Sequence, residues 1–165
     1  LGARVFNEVV PEALVRLPAA ERPVVVQQAG AKQLDALRDN YARAGVTADC
    51  RAFIDDMAAE YAAADLVLCR AGALTVAELA AAGVASVLVP FPHAVDDHQT
   101  GNAAFLADAG AGILLPQSGL TAECLAALLA DMTRGRCLEM AVAARRLART
   151  DAASRVADVC EELAE

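Results

Sequence analysis

Ala64-Asp65-Leu66-Val67-Leu68 runs directly into Cys69-Arg70-Ala71-Gly72-Ala73-Leu74-Thr75-Val76-Ala77-Glu78, and this passage decides the fold. The first five residues read as a buried strand and the last six as the opening of a helix, with a small-residue turn between them. A strand that ends in such a turn and feeds a helix leaves backbone N–H groups pointing outward. Those donors, at the positive end of the helix dipole, suit a phosphate. Glu78 falls within the first two turns of the helix. A carboxylate there accepts hydrogen bonds from sugar hydroxyls while the helix end holds phosphates. The ligand class implied is a nucleotide-sugar.

Outward from this passage, short β-rich runs alternate with amphipathic ones. Val5, Phe6, Val9, Val10, Ala13, Leu14 and Leu17 recur at helical spacing between Arg4 and Leu17. Further helices are expected over Gln33–Ala44, with Leu34, Leu37 and Tyr41 on one face, over Asp56–Ala63, over Thr75–Ala82, and over Gln99–Ala109, stopping near Gly110. Strands are expected at Pro23–Gln27, more weakly within Val46–Phe53, and at Leu66–Cys69, Ser86–Val89 and Gly112–Leu115, the last closed by Pro116. Beyond Thr121 the pattern is helical to the end, with breaks near Gly135 and around Thr150-Asp151.

The strands are near-continuous apolar runs, the mark of a parallel sheet covered on both faces. Their alternation with helices gives an α/β class: a Rossmann-like, doubly wound parallel sheet with a helical carboxyl-terminal tail. Ligands of such sheets sit beyond the carboxyl ends of the strands. The loops to examine are therefore 27–32, 53–57, 69–75 and 90–99. Leu1-Gly2-Ala3 leads straight into a helix, whereas the first strand of a Rossmann-like half is normally central to its sheet. Its lack would leave a hydrophobic slot, so the chain is expected to be an excerpt beginning just inside a glycine turn.

Composition narrows the class. The 165 residues suffice for one domain with a real core. Hydrophobic residues make up 57% and aromatics 4%, so the core must be built from Ala, Val and Leu. A net charge of −8 opposes binding to a nucleic-acid backbone. No apolar run reaches the roughly 18 residues of a spanning helix. No secretory signal pattern opens the sequence, which makes cytosol the default. Cys50, Cys69, Cys124, Cys137 and Cys160 are odd in number and lack Cys-x-x-Cys spacing. They read as small core residues rather than a disulfide framework or zinc site.

Ala73-Leu74-Thr75-Val76-Ala77-Glu78, Pro90-Phe91-Pro92-His93 and Asp96-Asp97-His98-Gln99-Thr100-Gly101-Asn102-Ala103 resemble the MurG family. So do Phe53-Ile54-Asp55-Asp56-Met57 and Gly2-Ala3-Arg4 followed by Asn7. The resemblance spans residues 1–165, and the order of the motifs is more specific than any one of them. It implies the donor-binding carboxyl half of a two-domain GT-B glycosyltransferase, with the first strand and the amino-terminal acceptor domain absent. The implied reaction inverts the anomeric centre and moves N-acetylglucosamine from UDP-N-acetylglucosamine to lipid I, giving lipid II for peptidoglycan. The implied enzyme class is a hexosyltransferase, inactive as this half alone. Its place would be peripheral, on the cytoplasmic face of the bacterial inner membrane, with lipid I and the membrane met through the absent domain. No cofactor, metal or nucleic acid is expected.

Carried onto this sequence, the resemblance places the backbone of Ala73, Leu74 and Thr75, with Val76 and Ala77 following, against the diphosphate and sugar. It puts Glu78 on the ribose hydroxyls. On position alone, Glu78 reads equally well as a solvated residue favoured by the helix dipole. The resemblance makes Phe53 border the uracil, gives the Ile54 backbone to the base and packs Met57 nearby. The residues themselves read first as ordinary apolar packing. His98, Gln99 and Asn102 share one side of a helix start, and an amide can read a hydroxyl as donor or acceptor. The resemblance sets Gln99 on the N-acetylglucosamine hydroxyls with Asn102 close by, while His98 stands where some members carry another amide.

Arg4 and Arg70 are candidate diphosphate contacts, with surface or structural ion pairs as the equal alternative. His93 reads as a loop-fixing residue. Asp96 and Asp97 read as helix N-terminal carboxylates, because consecutive side chains diverge and nothing completes a metal shell. Arg145, Arg146, Arg149 and Arg155 read as solvated helix faces. No residue of the chain is assigned as general base. Two other readings stay open: the donor half of another UDP-sugar transferase, and a non-catalytic nucleotide-binding α/β domain. A nicotinamide dehydrogenase is disfavoured, since no Gly-x-Gly-x-x-Gly turn with its following acid is visible.

Overall fold

A computed structural model describes residues 4–163, with Val95 described by its backbone alone. Gly2 and Ala3 of the resemblance lie outside the described residues. The elements run α1 (Arg4–Val15), β1 (Val26–Gln28), α2 (Leu34–Ala44), β2 (Asp49–Arg51), α3 (Met57–Ala63), β3 (Leu66–Cys69), α4 (Ala73–Ala82) and β4 (Ala85–Leu88). They continue with α5 (His98–Ala107), β5 (Gly112–Leu114), α6 (Ala122–Asp131), α7 (Arg134–Arg146) and α8 (Ala152–Glu162). The alternation read from the sequence is therefore present, with every strand pairing parallel.

The strands form two hydrogen-bonded sets, β1-β2 and β3-β4-β5. Cover on both faces is complete only at β4, where all four residues are buried; β3 is half-buried throughout, and β1 is largely exposed. The uniform double cover expected of all strands thus holds at one of them. Burial at β3 alternates in direction. Leu68 joins a cluster with Phe6, Val10, Leu14, Leu37, Tyr41 and Leu125, contributed by α1, α2 and α6. Val67 and Cys69 join Val76, Leu79, Leu106 and Ala144, contributed by α4, α5 and α7. Period-two side chains on a strand enforce this division, so helices wind onto both faces.

The carboxyl-terminal helices break where their caps dictate. Thr133 Oγ1 accepts the Arg136 N–H at 3.2 Å and starts α7. The break expected near Gly135 thus falls at Met132-Thr133, and Gly135 itself sits in the first turn of α7, where a glycine is tolerated. Arg145 is not a purely solvated residue as expected: its guanidinium donates to the Ala81 carbonyl at the end of α4. Of the cysteines, Cys137 is buried and Cys50 and Cys69 are half-buried, but Cys124 and Cys160 are exposed, so the uniform core role fails at two positions. No bridge joins any of the five.

Gly83 closes α4 at φ +69°, and a Cβ there would lie 3.1 Å from Arg145 Cβ and 3.4 Å from the Ala141 carbonyl. Both the left-handed backbone and the close approach of α7 require glycine. Gly83→Val is expected to destabilise the fold by about 2–3 kcal/mol, read as a lower midpoint in urea unfolding at unchanged slope.

Candidate functional site

Four loops follow β1, β2, β3 and β4, and side chains cross-link them at the carboxyl edge. The loop after β3 ends at Gly72, which caps α4 in an extended conformation without a side-chain acceptor. The first intrahelical bond runs from Val76 N–H to the Gly72 carbonyl at 2.9 Å. Among the described residues, no acceptor is paired with the N–H groups of Ala73, Leu74 or Thr75. They form a three-donor cup at the positive end of a ten-residue helix. Ala73 and Leu74 are exposed, Leu74 at 80%, so the cup opens to solvent. Val76 is buried in the core, where it also borders the cleft between α4 and α5. Ala77 and Glu78 are exposed on the next turn.

Asn102 and Gln99 brace this edge. Asn102 Nδ2 donates to the Ala71 carbonyl at 3.0 Å, tying α5 to the turn before α4. Gln99 Oε1 accepts the Phe91 N–H at 2.9 Å and fixes the loop after β4. Each amide thus uses one polar atom on the scaffold and carries a second of opposite character. His98 is exposed at the first position of α5. Asp96 and Asp97 stand immediately before α5, Asp97 as its N-cap residue, in keeping with the N-terminal carboxylates expected; both adopt left-handed backbone, at φ 51° and 50°, and the Asp97 side chain caps no backbone N–H. Asp97 Oδ1 instead accepts the Thr100 hydroxyl at 2.7 Å. A cleft of about 330 Å³ runs between α4 and α5, lined by Ala73, Ala77, Gly101, Asn102 and Phe105 among others. A larger hollow of about 450 Å³ is lined by α2 alone, away from all four loops.

The base side of the edge is built by the loop after β2. Phe53 is 67% exposed, well outside the core, and Met57 opens α3 with its side chain partly exposed. The Ile54 N–H donates to Gln28 Oε1 at 2.9 Å, so the backbone donor given to the base by resemblance is held by a side-chain amide. Gln28 was not singled out from the sequence. Its signal was its place at the carboxyl end of β1, in a loop that the parallel sheet already marked.

Arg70 is the most heavily engaged side chain of the site. Its guanidinium lies 5.0 Å from the Phe6 ring centre and 5.4 Å from that of Phe91. It donates to the Val89 and Pro90 carbonyls at 3.2 and 3.1 Å and to Gln117 Oε1 at 2.6 Å. The planar fork is used on the scaffold, which favours the structural alternative over a diphosphate contact. Partial burial draws its pKa below the ordinary arginine value. Arg4, the other candidate, pairs with Glu8 at 3.0 Å on an exposed turn of α1, the surface-pair alternative. His93 stands edge-on to Phe91 with ring centres 5.5 Å apart, a ring contact within the loop after β4. Gln117 and Tyr61, whose hydroxyl donates to Glu78 Oε2 at 3.2 Å, also escaped the sequence reading. Both act across long sequence separations that periodicity cannot see.

Burial pushes the Cys69 thiol up to about 12, so this cysteine beside the turn stays protonated and is no nucleophile at neutral pH. Iodoacetamide at pH 8 is expected to modify exposed Cys124 and Cys160 while sparing Cys69, as read by peptide mass spectrometry. Arg70→Lys is expected to cost about 2 kcal/mol of stability, since a point charge cannot span three acceptors while lying between two rings. Thermal unfolding of the variant measures this.

The parallel strands, the helices on both faces and the loops gathered at the carboxyl edge define a Rossmann-like α/β domain. Residues 1–159 match the model of the glycosyltransferase family 28 C-terminal domain, and the chain belongs to that family. It is 65% identical, over 99% of its length, to a UDP-N-acetylglucosamine–N-acetylmuramyl-(pentapeptide) pyrophosphoryl-undecaprenol N-acetylglucosamine transferase of Aromatoleum aromaticum. It is also 65% identical, over its whole length, to the protein of the same name from an Azoarcus species. The crystal structure of Acinetobacter baumannii MurG superposes with a TM-score of 0.90 at 48% identity, covering 98% of this chain and 47% of that one. The chain spans 46% of the length of these two curated relatives, about half.

Proposed function

We propose that this chain is the donor-binding half of an inverting glycosyltransferase that moves N-acetylglucosamine from UDP-N-acetylglucosamine to lipid I, forming lipid II. The observation that carries the proposal is the three-donor cup of α4 with Glu78 one turn on, in a chain 65% identical to transferases so named. In this reading the N–H groups of Ala73, Leu74 and Thr75 meet the diphosphate. Glu78 accepts from the ribose diol, and the Phe53-Ile54 loop takes the uracil. Gln99 and Asn102 present their second polar atoms to the sugar.

The chemistry assigned to this half is departure of the nucleotide. When the acceptor hydroxyl attacks C1 from the opposite face, negative charge grows on the diphosphate. Fixed amide dipoles at a helix start stabilise such charge without reorganising, and this is a large contribution in transfer reactions of this kind. The proton of the acceptor hydroxyl passes to a base outside this chain, because no described residue here is assigned that role. Acceptor and membrane contact likewise belong to the other half, and the proposed location is the cytoplasmic face of the inner membrane. No helix among the described residues is long and apolar enough to cross a membrane.

Calorimetric titration of the full-length protein with UDP-N-acetylglucosamine, UDP-glucose and an adenine dinucleotide tests the assignment. Binding of UDP-sugars only is expected. Glu78→Ala should weaken it about 10–100-fold, the value of hydrogen bonds to a charged group. Gln99→Ala should narrow the preference for N-acetylglucosamine by about fivefold. Uridine-independent binding, or none from a folded protein, would return the chain to an α/β domain of another ligand.

A further inference from the structure

Glu78 is exposed on α4, yet it is not left to solvent alone. Tyr61, on α3, is 92% buried by its neighbours, at 8% exposure, in the cluster that includes Ala71, Val76 and Leu79. Its hydroxyl reaches the rim of that cluster and donates to Glu78 Oε2 at 3.2 Å. A hydroxyl on a ring fixed by packing is a rigid donor, whereas a glutamate on a helix surface has three rotatable bonds. The bond therefore selects one carboxylate orientation and engages one oxygen, while Oε1 keeps its lone pairs for another donor. Burial and the adjacent carboxylate hold the tyrosine pKa above its ordinary value, so the hydroxyl remains a donor at every physiological pH.

The helix carrying Tyr61 is itself held at its start and at its middle. Asp56 Oδ1 accepts the Ala59 N–H at 2.9 Å and caps it, directly after the Phe53-Ile54-Asp55 loop. Arg51 at the end of β2 donates to Glu60, the residue before Tyr61. One seven-residue helix thus joins the loop proposed for the base to the carboxylate proposed for the ribose.

We infer that Tyr61 is a positioning residue for nucleoside recognition: its hydroxyl presets Glu78 for the ribose diol and couples the base loop to the ribose carboxylate. The inference rests on the reading of Glu78 as the ribose ligand. It differs from a packing role in one respect. Packing supports any ligand of the site equally, whereas presetting Glu78 matters only to ligands that carry the diol.

The test is the affinity ratio of UDP to 2′,3′-dideoxy-UDP, by calorimetry, on the full-length protein. The wild type is expected to prefer UDP by about tenfold or more, the equivalent of one charge-assisted hydrogen bond. Tyr61→Phe, which keeps the ring and removes the hydroxyl, should reduce that preference about fivefold and leave dideoxy-UDP affinity unchanged. Glu78→Gln should reduce it further, and adding Tyr61→Phe to Glu78→Gln should change nothing more. A Tyr61→Phe variant that loses affinity for both ligands equally would show packing alone and overturn the inference. An unchanged ratio in Tyr61→Phe, with the ratio lost in Glu78→Gln, would overturn it while leaving the donor reading intact. An unchanged ratio in Glu78→Gln would remove the ribose role of Glu78 and the inference with it. Circular dichroism confirms folding in each case. Should Tyr61→Phe fail to fold, 4-fluorophenylalanine incorporated at position 61, which keeps the size of the ring and removes the donor, supplies the same comparison.

Discussion

One guanidinium organises the carboxyl edge of this domain. Arg70 stands at the first position after β3, between the Phe6 and Phe91 rings, and donates to the carbonyls that follow β4 and to Gln117. Four segments therefore meet at a single planar cation: α1, the β3–α4 turn that carries it, residues 89–91 after β4 and the stretch after β5. The carbonyls at the end of β4 lie beyond the last strand pairing, where unpaired acceptors are costly to bury. Arginine is suited to the place because its fork serves several acceptors while its faces stack on rings. With aromatics at 4% of the chain, two of the four phenylalanines are used at this one point.

That convergence explains which parts of the site were legible in the sequence. The strand–turn–helix passage at residues 64–78 shows its geometry through local patterning, because an uncapped helix start needs only Gly72 and small neighbours. The order of helices and strands was legible for the same reason: each is a periodic run a few residues long. What resisted reading depends on partners distant in sequence. Arg70 read equally as a phosphate contact or a structural residue, because a cation near a helix start is ambiguous until its acceptors, up to 47 positions away, are in place. The place of Asp96 and Asp97 at the start of α5 was legible because acidic residues favour helix N-termini, but the left-handed backbone at both was not. The two separate strand sets also lay beyond periodicity, which reports burial of a run and not its hydrogen-bonded neighbour.

The amides of the site share a design. Gln99 holds Phe91, Asn102 holds Ala71 and Gln28 holds Ile54, each by one end of a two-ended group. Glu78 is held by one oxygen in the same way. A side chain anchored at one polar atom has already lost most of its rotamer freedom on folding. A ligand that meets the other atom then does not bear that entropy loss again. Such an arrangement gives modest hydrogen bonds a larger share in binding than flexible surface groups of the same type would have.

The same anchoring constrains how a ligand enters. The Ile54 N–H is occupied by Gln28 Oε1, a carbonyl acceptor of the same kind as a pyrimidine carbonyl. A base that takes this donor must displace the glutamine, so the exchange is of one amide-type bond for another and is close to neutral in enthalpy. Discrimination at that point must then come from what the base adds beyond the bond: stacking area against exposed Phe53, and correct placement of the ribose over Glu78. A base of the wrong size that gains the Ile54 bond alone gains almost nothing. In the proposed donor site, selectivity for the nucleoside would thus rest on simultaneous fit at two anchored points rather than on the strength of either.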